Sequence, residues 1–366
     1  MTEHMPPDIM KTDRRFRLED GRRRRIDSPT HVDAGRPEVL LARAREQFGY
    51  EKIGVMGIPC SNGPLNNLEC LRVKALAPDY AYVYGGMVYS GLSKPDARDH
   101  EKQLMLLMDA GFDGWKLLES KPSCYRRLQL PLDGEVYERA FALAEAEQIP
   151  VTWHAGDPAT FWSAETAPRF AVENGWLCVG EGFPTLAEIY RQVEEVLARH
   201  PRLRASLAHL YFTSDDRPHA ERLLDTFERL SLDLTPGNEM YVDFMKDPDG
   251  WRAFFRKYRD RLVFGTDMTD EDVDIVFGGA STSFDLVTNT LAGSEPFRVW
   301  EISGQGLGLE EEVLRKVFAE NFARIVPPAP KPISKSGLNA YAEWIQPHLT
   351  KEQRRSCEDM LREMIG

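Results

Sequence analysis

The sequence lacks the features that mark several large classes of protein. No apolar run reaches the roughly 18 residues that a membrane span needs, and the amino terminus has no apolar segment typical of a secretory signal. The chain has five cysteines, an odd number with none in a C-x-x-C pair, so the sequence does not indicate a disulfide framework. We therefore expect a cytoplasmic protein in a reducing compartment that does not bind a membrane.

Excess positive charge is also missing. The formal net charge is −12, from 46 basic and 58 acidic residues, whereas a general nucleic-acid binder carries a basic surface that neutralises phosphates. We therefore expect no nucleic-acid partner. The exception is the segment 11–25, which holds eight basic and three acidic residues. Asp20-Gly21 in this segment predicts a charged surface hairpin, and a nuclear signal or nucleic-acid arm is the alternative.

Short apolar runs rich in β-forming residues alternate with segments of helical periodicity. Eight units of this kind favour a closed (β/α)8 TIM barrel, an α/β fold, over an open doubly wound sheet. No glycine-rich nucleotide-binding motif follows any of the runs. The eight predicted strands lie in residues 23–32, 51–60, 80–89, 114–120, 150–156, 204–212, 230–236 and 261–268.

This barrel prediction divides the chain into three parts. Residues 1–25 are the basic extension or hairpin, residues 26–326 the barrel, and residues 327–366 a proline-rich linker with a C-terminal helical tail. We expect the tail to dock on the barrel, although a homo-oligomer contact is an alternative. Residues 157–183 form a long aromatic insertion after the fifth strand, on the face where barrel enzymes build their active sites. This insertion is either a lid or a loop that packs on itself.

Polar residues end several of the predicted strands. Three of the eight histidines, His31, His154 and His209, follow the first, fifth and sixth strands, while Asp267 ends the eighth and Lys116 lies in the fourth. In a barrel these positions converge on one rim. Two imidazoles and a carboxylate can hold a divalent metal that keeps positions open for water or substrate, and a further histidine or aspartate can move a proton. Each residue alone has a structural explanation, but their coincidence on one rim predicts a functional site.

Taken together, these segments resemble the amidohydrolase-related family. This is the TIM-barrel group that includes aminocarboxymuconate-semialdehyde decarboxylase, resorcylate decarboxylases and several lactonases. The resemblance runs from about Ile26 to Val326. It is carried by the segments IDSPTHVD, GFDGWKLLE, VTWHAGDP, SLAHLYF, RLVFGTDM and AENFARIV.

The resemblance implies a metal site and a proton-transfer group. His31, His154 and Asp267 match the family's metal ligands, and the implied cofactor is one divalent metal, zinc being the first choice. His209 matches the acid or base, with Asp267 as a second catalytic proton acceptor. In the family the first strand ends in His-x-His, and here Pro29 stands in place of the first of those histidines.

The resemblance also implies an enzyme that acts on a small molecule. The function we predict is metal-dependent hydrolysis of an ester, lactone or amide bond in a small carboxylated molecule. One alternative is a metal-dependent decarboxylase, a lyase acting on an aromatic or muconate-type acid, and another is a barrel that binds a ligand without catalysis. The residues predicted to bind the substrate are Lys116, Glu119, Arg169, Glu239 and Tyr241.

Overall fold

The computed structural model describes residues 23–89, 95–271, 280–299 and 301–365. Eight parallel strands follow one another around a nearly closed barrel in the order of the chain. They are β1 (Ile26–Thr30), β2 (Lys52–Met56), β3 (Ala81–Gly85), β4 (Gly114–Ser120), β5 (Val151–Ala155), β6 (Ala205–Leu207), β7 (Leu230–Asp233) and β8 (Leu262–Val263). Each strand lies inside a run predicted from the sequence, so the TIM-barrel prediction is confirmed.

Helices surround the barrel. They are α1 (Pro37–Ala42), α2 (Pro59–Asn62), α3 (Asn66–Leu76), α4 (Ala97–Ala110), α5 (Pro122–Leu128), α6 (Glu135–Ala146), α7 (Arg169–Glu173), α8 (Leu186–Arg199), α9 (Arg217–Thr226), α10 (Asn238–Lys246), α11 (Pro248–Lys257), α12 (Ala280–Ala292), α13 (Glu311–Arg315), α14 (Asn321–Ile325), α15 (Lys335–Ile345) and α16 (Lys351–Ile365). A short antiparallel pair, β9 (Pro296–Val299) and β10 (Ile302–Gln305), lies between α12 and α13. α8 shows why such segments form: Ile189, Val193 and Val196 recur at helical spacing and are buried, while the Thr185 hydroxyl accepts a hydrogen bond from the Glu188 N–H at 3.1 Å.

Alternation along β4 decides which side chains can reach the functional site. Trp115 and Leu117 are fully buried in the main core, where Trp115 packs on Phe141 of α6 with ring centroids 5.0 Å apart. Lys116 and Leu118 point the other way and line a cavity at the end of the barrel. Successive side chains of a strand lie on opposite faces. Lys116 is therefore an inward-facing residue, held in place by the tryptophan before it and the leucine after it.

The barrel closes between β8 and β1 through a seam of backbone and side-chain contacts. The Asp27 carboxylate accepts hydrogen bonds from the Thr266 N–H and hydroxyl at 2.8 and 2.6 Å. The His31 N–H donates to the Met268 carbonyl at 2.8 Å. The Asp270 carboxylate accepts three backbone N–H groups of the loop after β1, from residues 33, 34 and 36, at 2.6–2.9 Å. Two buried carboxylates thus fix the first and last strands against each other.

The C-terminal helices pack on the barrel. α15 lies against α4, and α16 lies against α3. The linker before them is anchored by Asp113, whose carboxylate accepts the Lys331 N–H at 2.7 Å and forms a buried ion pair with Lys74 at 2.5 Å. The predicted hairpin of residues 1–25 falls outside the described residues except for its last three.

Two expectations from composition concern membrane spans and cysteines. Over the described ranges, no helix is long and apolar enough to span a membrane. The five cysteines are buried and carry free thiols. This is the state that the sequence predicts for a protein without a disulfide framework.

Candidate functional site

A cavity of about 610 Å³ opens at the carboxyl ends of the strands. The cavity is lined by the five polar side chains that the sequence places at strand ends or in the fourth strand, and by Glu239, which follows β7. These six residues are His31, Lys116, His154, His209, Glu239 and Asp267. The residues that the sequence places at separate strand ends therefore share one cavity.

His31 and Asp267 form the first pair in this cavity. His31 follows β1 directly, and its Nε2 lies 3.1 Å from Asp267 Oδ1, while its Nδ1 lies 3.2 Å from the Met56 carbonyl oxygen. Burial lowers the pKa of His31, but the hydrogen bond and charge of Asp267 and the charge of Asp33 outweigh it and raise the pKa overall. Burial likewise raises the pKa of Asp267, yet its contact with His31 lowers it well below its ordinary value. Since both ring nitrogens face oxygen acceptors, the pair fits an imidazolium beside a carboxylate.

His154 and His209 form the second pair. His209 Nε2 lies 3.2 Å from His154 Nδ1. The outer nitrogens face carbonyl oxygens, with His209 Nδ1 3.2 Å from Thr235 O and His154 Nε2 3.1 Å from Gly156 O. Because carbonyl oxygens only accept hydrogen bonds, each outer nitrogen carries a proton, and these are the only two ring protons of two neutral imidazoles. The facing nitrogens are then both free to share one incoming proton, so the geometry suits a proton acceptor.

The protonation of this pair is governed mainly by burial. Burial lowers the pKa of His209, although the charges of Asp267 and Asp233 act in the opposite direction. Burial and the positive charge of Lys121 lower the pKa of His154 to about 3. Both shifts favour neutral imidazoles in the resting protein.

The backbone around His209 is unusual. His209, Leu210, Tyr211 and Phe212 all have positive φ angles, between 53° and 58°, and so form one left-handed turn. Non-glycine residues in this region cost on the order of 1 kcal/mol or more each and rely on surrounding contacts to hold them. The Asp233 carboxylate supplies one such contact by accepting the His209 N–H at 2.9 Å. The turn places the His209 ring against His154 instead of letting the strand continue.

Lys116 brings a buried positive charge into the cavity. It is 3% exposed, and within the described ranges its ammonium group makes no hydrogen bond and no close ion pair. Burial lowers its pKa, while the carboxylates of Asp267, Asp233 and Glu119 act in the opposite direction. An ammonium group that faces a cavity without a bonded partner suits a group that receives an anionic ligand.

The insertion of residues 157–183 forms the outer wall of the cavity. Phe161, Phe170 and Trp176 line the cavity and also belong to a small apolar cluster of the insertion itself. Lys121 lies over the Trp176 ring at 5.0 Å and forms an ion pair with Asp157 at 2.7 Å. The same aromatic side chains therefore cover the cavity, as a lid would, and pack on one another, as a self-packed loop would.

Three of the predicted substrate-binding residues lie outside the cavity lining. Glu119 points away from Lys116 on the same strand and accepts the Tyr89 hydroxyl at 2.8 Å. Arg169 is an exposed side chain paired with Glu173 on the same helix. Tyr241 is fully buried in the main core. The structure thus brings only Lys116 and Glu239 of the five predicted residues to the cavity.

Some residues of the site were missed in the sequence. Asp157 bonds Lys121 across the cavity wall, and Asp233 holds the backbone of His209. The signals were present, because Asp157 follows His154 by three residues and Asp233 lies within the seventh predicted strand, residues 230–236. Their roles depend on which backbone and side-chain groups come near them, and the pattern of residue types does not contain that information.

The predicted metal ligands do not come together as a set of three. His31 and Asp267 contact each other, whereas the nitrogens of His154 face His209 and the loop after β5. In the part of the chain that the structure covers, no group of three or more histidine, cysteine, aspartate or glutamate side chains is placed to hold a metal. Pro29 has no donor atom in its side chain and is not part of the cavity lining. The described residues therefore do not fit the predicted zinc site.

Comparison with known proteins places these observations in a family context. Residues 67–327 match the family model described as Amidohydrolase, a range that begins after β1 and β2. No curated protein matches the chain. Among solved structures, an uncharacterized TIM-barrel protein from Bordetella bronchiseptica is 15% identical, with 85% of this chain and 88% of that chain covered and a TM-score of 0.52. The 4-oxalomesaconate hydratase from Rhodopseudomonas palustris is 13% identical, with 87% and 99% covered and a TM-score of 0.50. At these identities the likeness shows the fold alone.

Proposed function

The chain belongs to the amidohydrolase family, and on that premise we propose that it is an enzyme that hydrolyses an ester, lactone or amide bond in a small carboxylated molecule. Members of the family are generally enzymes and commonly use a divalent metal. The observation that carries the proposal is that a proton-accepting histidine pair and a buried lysine line the same cavity. The first supplies a base for water, and the second supplies a positive charge for an anionic substrate.

Lys116 is the group that we assign to the substrate carboxylate. Its ammonium lies in the cavity without a bonded counter-ion among the described residues, and a carboxylate there forms a charge-assisted hydrogen bond. The other cavity lysine, Lys121, already shares its charge with Asp157 at 2.7 Å. The two lysines therefore differ in what they offer a ligand, although they line one cavity.

His209 is the base that we assign to the attacking water. Asp267 is the other candidate, but its Oδ1 is already engaged by His31 Nε2 at 3.1 Å, whereas the facing nitrogens of His209 and His154 have only each other as partners among the described residues. The neutral His209–His154 pair has a place for one proton between its facing nitrogens. General-base catalysis by such a group contributes about 10²- to 10⁴-fold to the rate. The water loses its proton to this pair as its oxygen attacks the carbonyl carbon.

A substrate panel tests this proposal. The purified chain is incubated with aliphatic and aromatic esters, lactones and amides that carry a free carboxylate, each beside its neutral methyl-ester counterpart. We expect hydrolysis of one or more carboxylated compounds and a lower kcat/KM for the neutral counterparts. Release of CO₂ from aromatic or muconate-type acids without any hydrolysis would replace the proposal with a decarboxylase. Hydrolysis without preference for the carboxylate would remove the role of Lys116.

A further inference from the structure

Glu239 lines the cavity, and the catalytic steps proposed above do not use it. It is in the first turn of α10, directly after the loop that leaves β7, and it lines the cavity. Its Oε1 atom is buried and has no hydrogen-bond partner within the described residues. The carboxyl group folds back over Gly237, where a Cβ atom would come within 2.6 Å of Oε1. Glycine at this position therefore leaves room for the carboxyl group beside the cavity.

The loop that carries Glu239 also holds the proposed base. Thr235, four residues earlier, supplies the carbonyl oxygen that faces His209 Nδ1 at 3.2 Å. The same short segment thus fixes the orientation of His209 on one side and presents Glu239 on the other.

The charged groups around Glu239 are acidic or already paired. Asp243 lies one helical turn further and is bonded to Ser214 and Lys246, both at 2.8 Å. Asp157 is bonded to Lys121 at 2.7 Å. Burial raises the pKa of Glu239 to about 7, and the charges of Asp243, Asp157 and Asp215 act in the same direction, against a hydrogen bond from its own backbone N–H. The carboxyl group is therefore partly protonated near neutral pH, unlike an ordinary glutamate.

We propose that Glu239 is the general acid that donates a proton to the leaving group. This role rests on the hydrolase function proposed above. As the bond between the carbonyl carbon and the leaving oxygen or nitrogen breaks, that atom takes the electron pair of the bond and the carboxyl proton of Glu239. The proton of the attacking water goes to the His209–His154 pair. Solvent then returns a proton to Glu239 and removes one from the histidine pair, so the net reaction consumes one water molecule.

A titration without substrate tests the first requirement. In protein labelled with ¹³C at the glutamate carboxyl groups, we expect one signal that titrates near pH 7 and that is lost in Glu239→Gln. The matched control is Asp243→Asn, which alters the adjacent acid of the same helix; it should keep the signal and move its midpoint to lower pH, because the charge of Asp243 helps raise the pKa of Glu239. Titration of the Glu239 carboxyl near the ordinary value of about 4.3 would overturn the proposal whether or not the chain is active.

Leaving-group dependence tests the second requirement. A leaving group of high pKa needs a proton to depart, whereas p-nitrophenolate does not. We therefore expect Glu239→Gln to lower kcat for an alkyl ester by about 100-fold or more and to lower kcat for the p-nitrophenyl ester of the same acid only a few-fold. With the alkyl ester, wild-type kcat should fall above about pH 7, and this fall should disappear in the variant.

The possible results separate the two proposals. Equal losses for both esters would show that Glu239 binds substrate or supports the fold, and would overturn only its role as an acid. If wild type hydrolyses neither ester nor any compound of the panel, the hydrolase proposal fails and the leaving-group role fails with it. A selective loss on the alkyl ester supports both.

Discussion

Replacing Lys116 with methionine removes one charge from the cavity while keeping most of the side-chain volume. The ammonium group lies at a site that is 3% exposed and makes no bond to the rest of the described structure, so a bound carboxylate would be its main partner. A hydrogen bond to a charged group contributes about 1.5–3 kcal/mol net. At about 1.4 kcal/mol per tenfold change in affinity, we expect Lys116→Met to weaken carboxylate binding by roughly 10- to 150-fold.

Isothermal titration calorimetry with benzoate and adipate measures this effect without knowledge of the natural substrate. The matched control is Lys121→Met in the same cavity. Because Lys121 is already paired with Asp157 at 2.7 Å, its removal should change the affinity only a few-fold. Arginine at position 116 keeps the charge and should retain part of the binding if the cavity admits the larger group.

Two results would refute the reasoning. One is a Lys116→Met variant that binds both carboxylates as tightly as wild type. The other is a larger loss for Lys121→Met than for Lys116→Met, which would mean that the paired lysine is the anion anchor. Urea unfolding of each variant checks that the fold is retained, so that a loss of binding is not read from unfolded protein.

Four further predictions concern the site and the seam of the barrel. His209→Ala should lower kcat by about 100-fold or more with an unchanged circular dichroism spectrum, and an unchanged kcat would remove His209 from the mechanism. Zinc should be lost on gel filtration because, of the three predicted ligands, only His31 and Asp267 contact each other. Elemental analysis that finds one retained zinc per chain would contradict this. Asp270→Ala leaves three backbone N–H groups without their acceptor. The free energy of unfolding, measured with urea, should therefore fall by about 3 kcal/mol. A loss near zero would show that these N–H groups find other acceptors. Burial raises the pKa of Asp27 to about 8, so the native state keeps a proton that the unfolded chain releases near pH 4. The free energy of unfolding should therefore fall as pH rises between about 4 and 8. Asp27→Asn should flatten that fall, and an unchanged slope would show that other groups cause it.

The sequence predicted the barrel well because its strands carry a repeated and local signal. All eight strands lie in runs bounded by polar or turn residues, and each is followed by a segment of helical period. The location of His31, His154, His209 and Asp267 followed from topology alone, since the carboxyl ends of parallel barrel strands meet on one face. No distance between these side chains was needed for that prediction.

The contacts between these side chains could not be predicted from the sequence. His154 contacts His209 instead of joining His31 and Asp267, and this depends on the left-handed turn at residues 209–212. Nothing in the run SLAHLYF indicates four consecutive positive φ angles, because none of the residues involved is a glycine. The expected three-ligand site assumed an ordinary strand end at that point.

Three of the residues predicted to bind the substrate lie outside the cavity lining for simpler reasons. Glu119 is three residues from Lys116 on one strand, and the period of two places it on the opposite face. Tyr241 is two residues from Glu239 in a helix, which turns it by about 200° away from the cavity. Arg169 lies in a long insertion whose path has no periodicity to follow. The first two outcomes could have been predicted from spacing, and the third could not.

The seam between β8 and β1 makes the His31–Asp267 pair depend on both ends of the barrel. These residues are 236 positions apart in the chain, and a nascent polypeptide emerging from the ribosome has no such pair until its last barrel strand is made. A product truncated before β8 lacks Asp267 and therefore cannot form this pair. Assembly of the pair therefore requires that synthesis has passed Asp267 and that the first and last strands have come together.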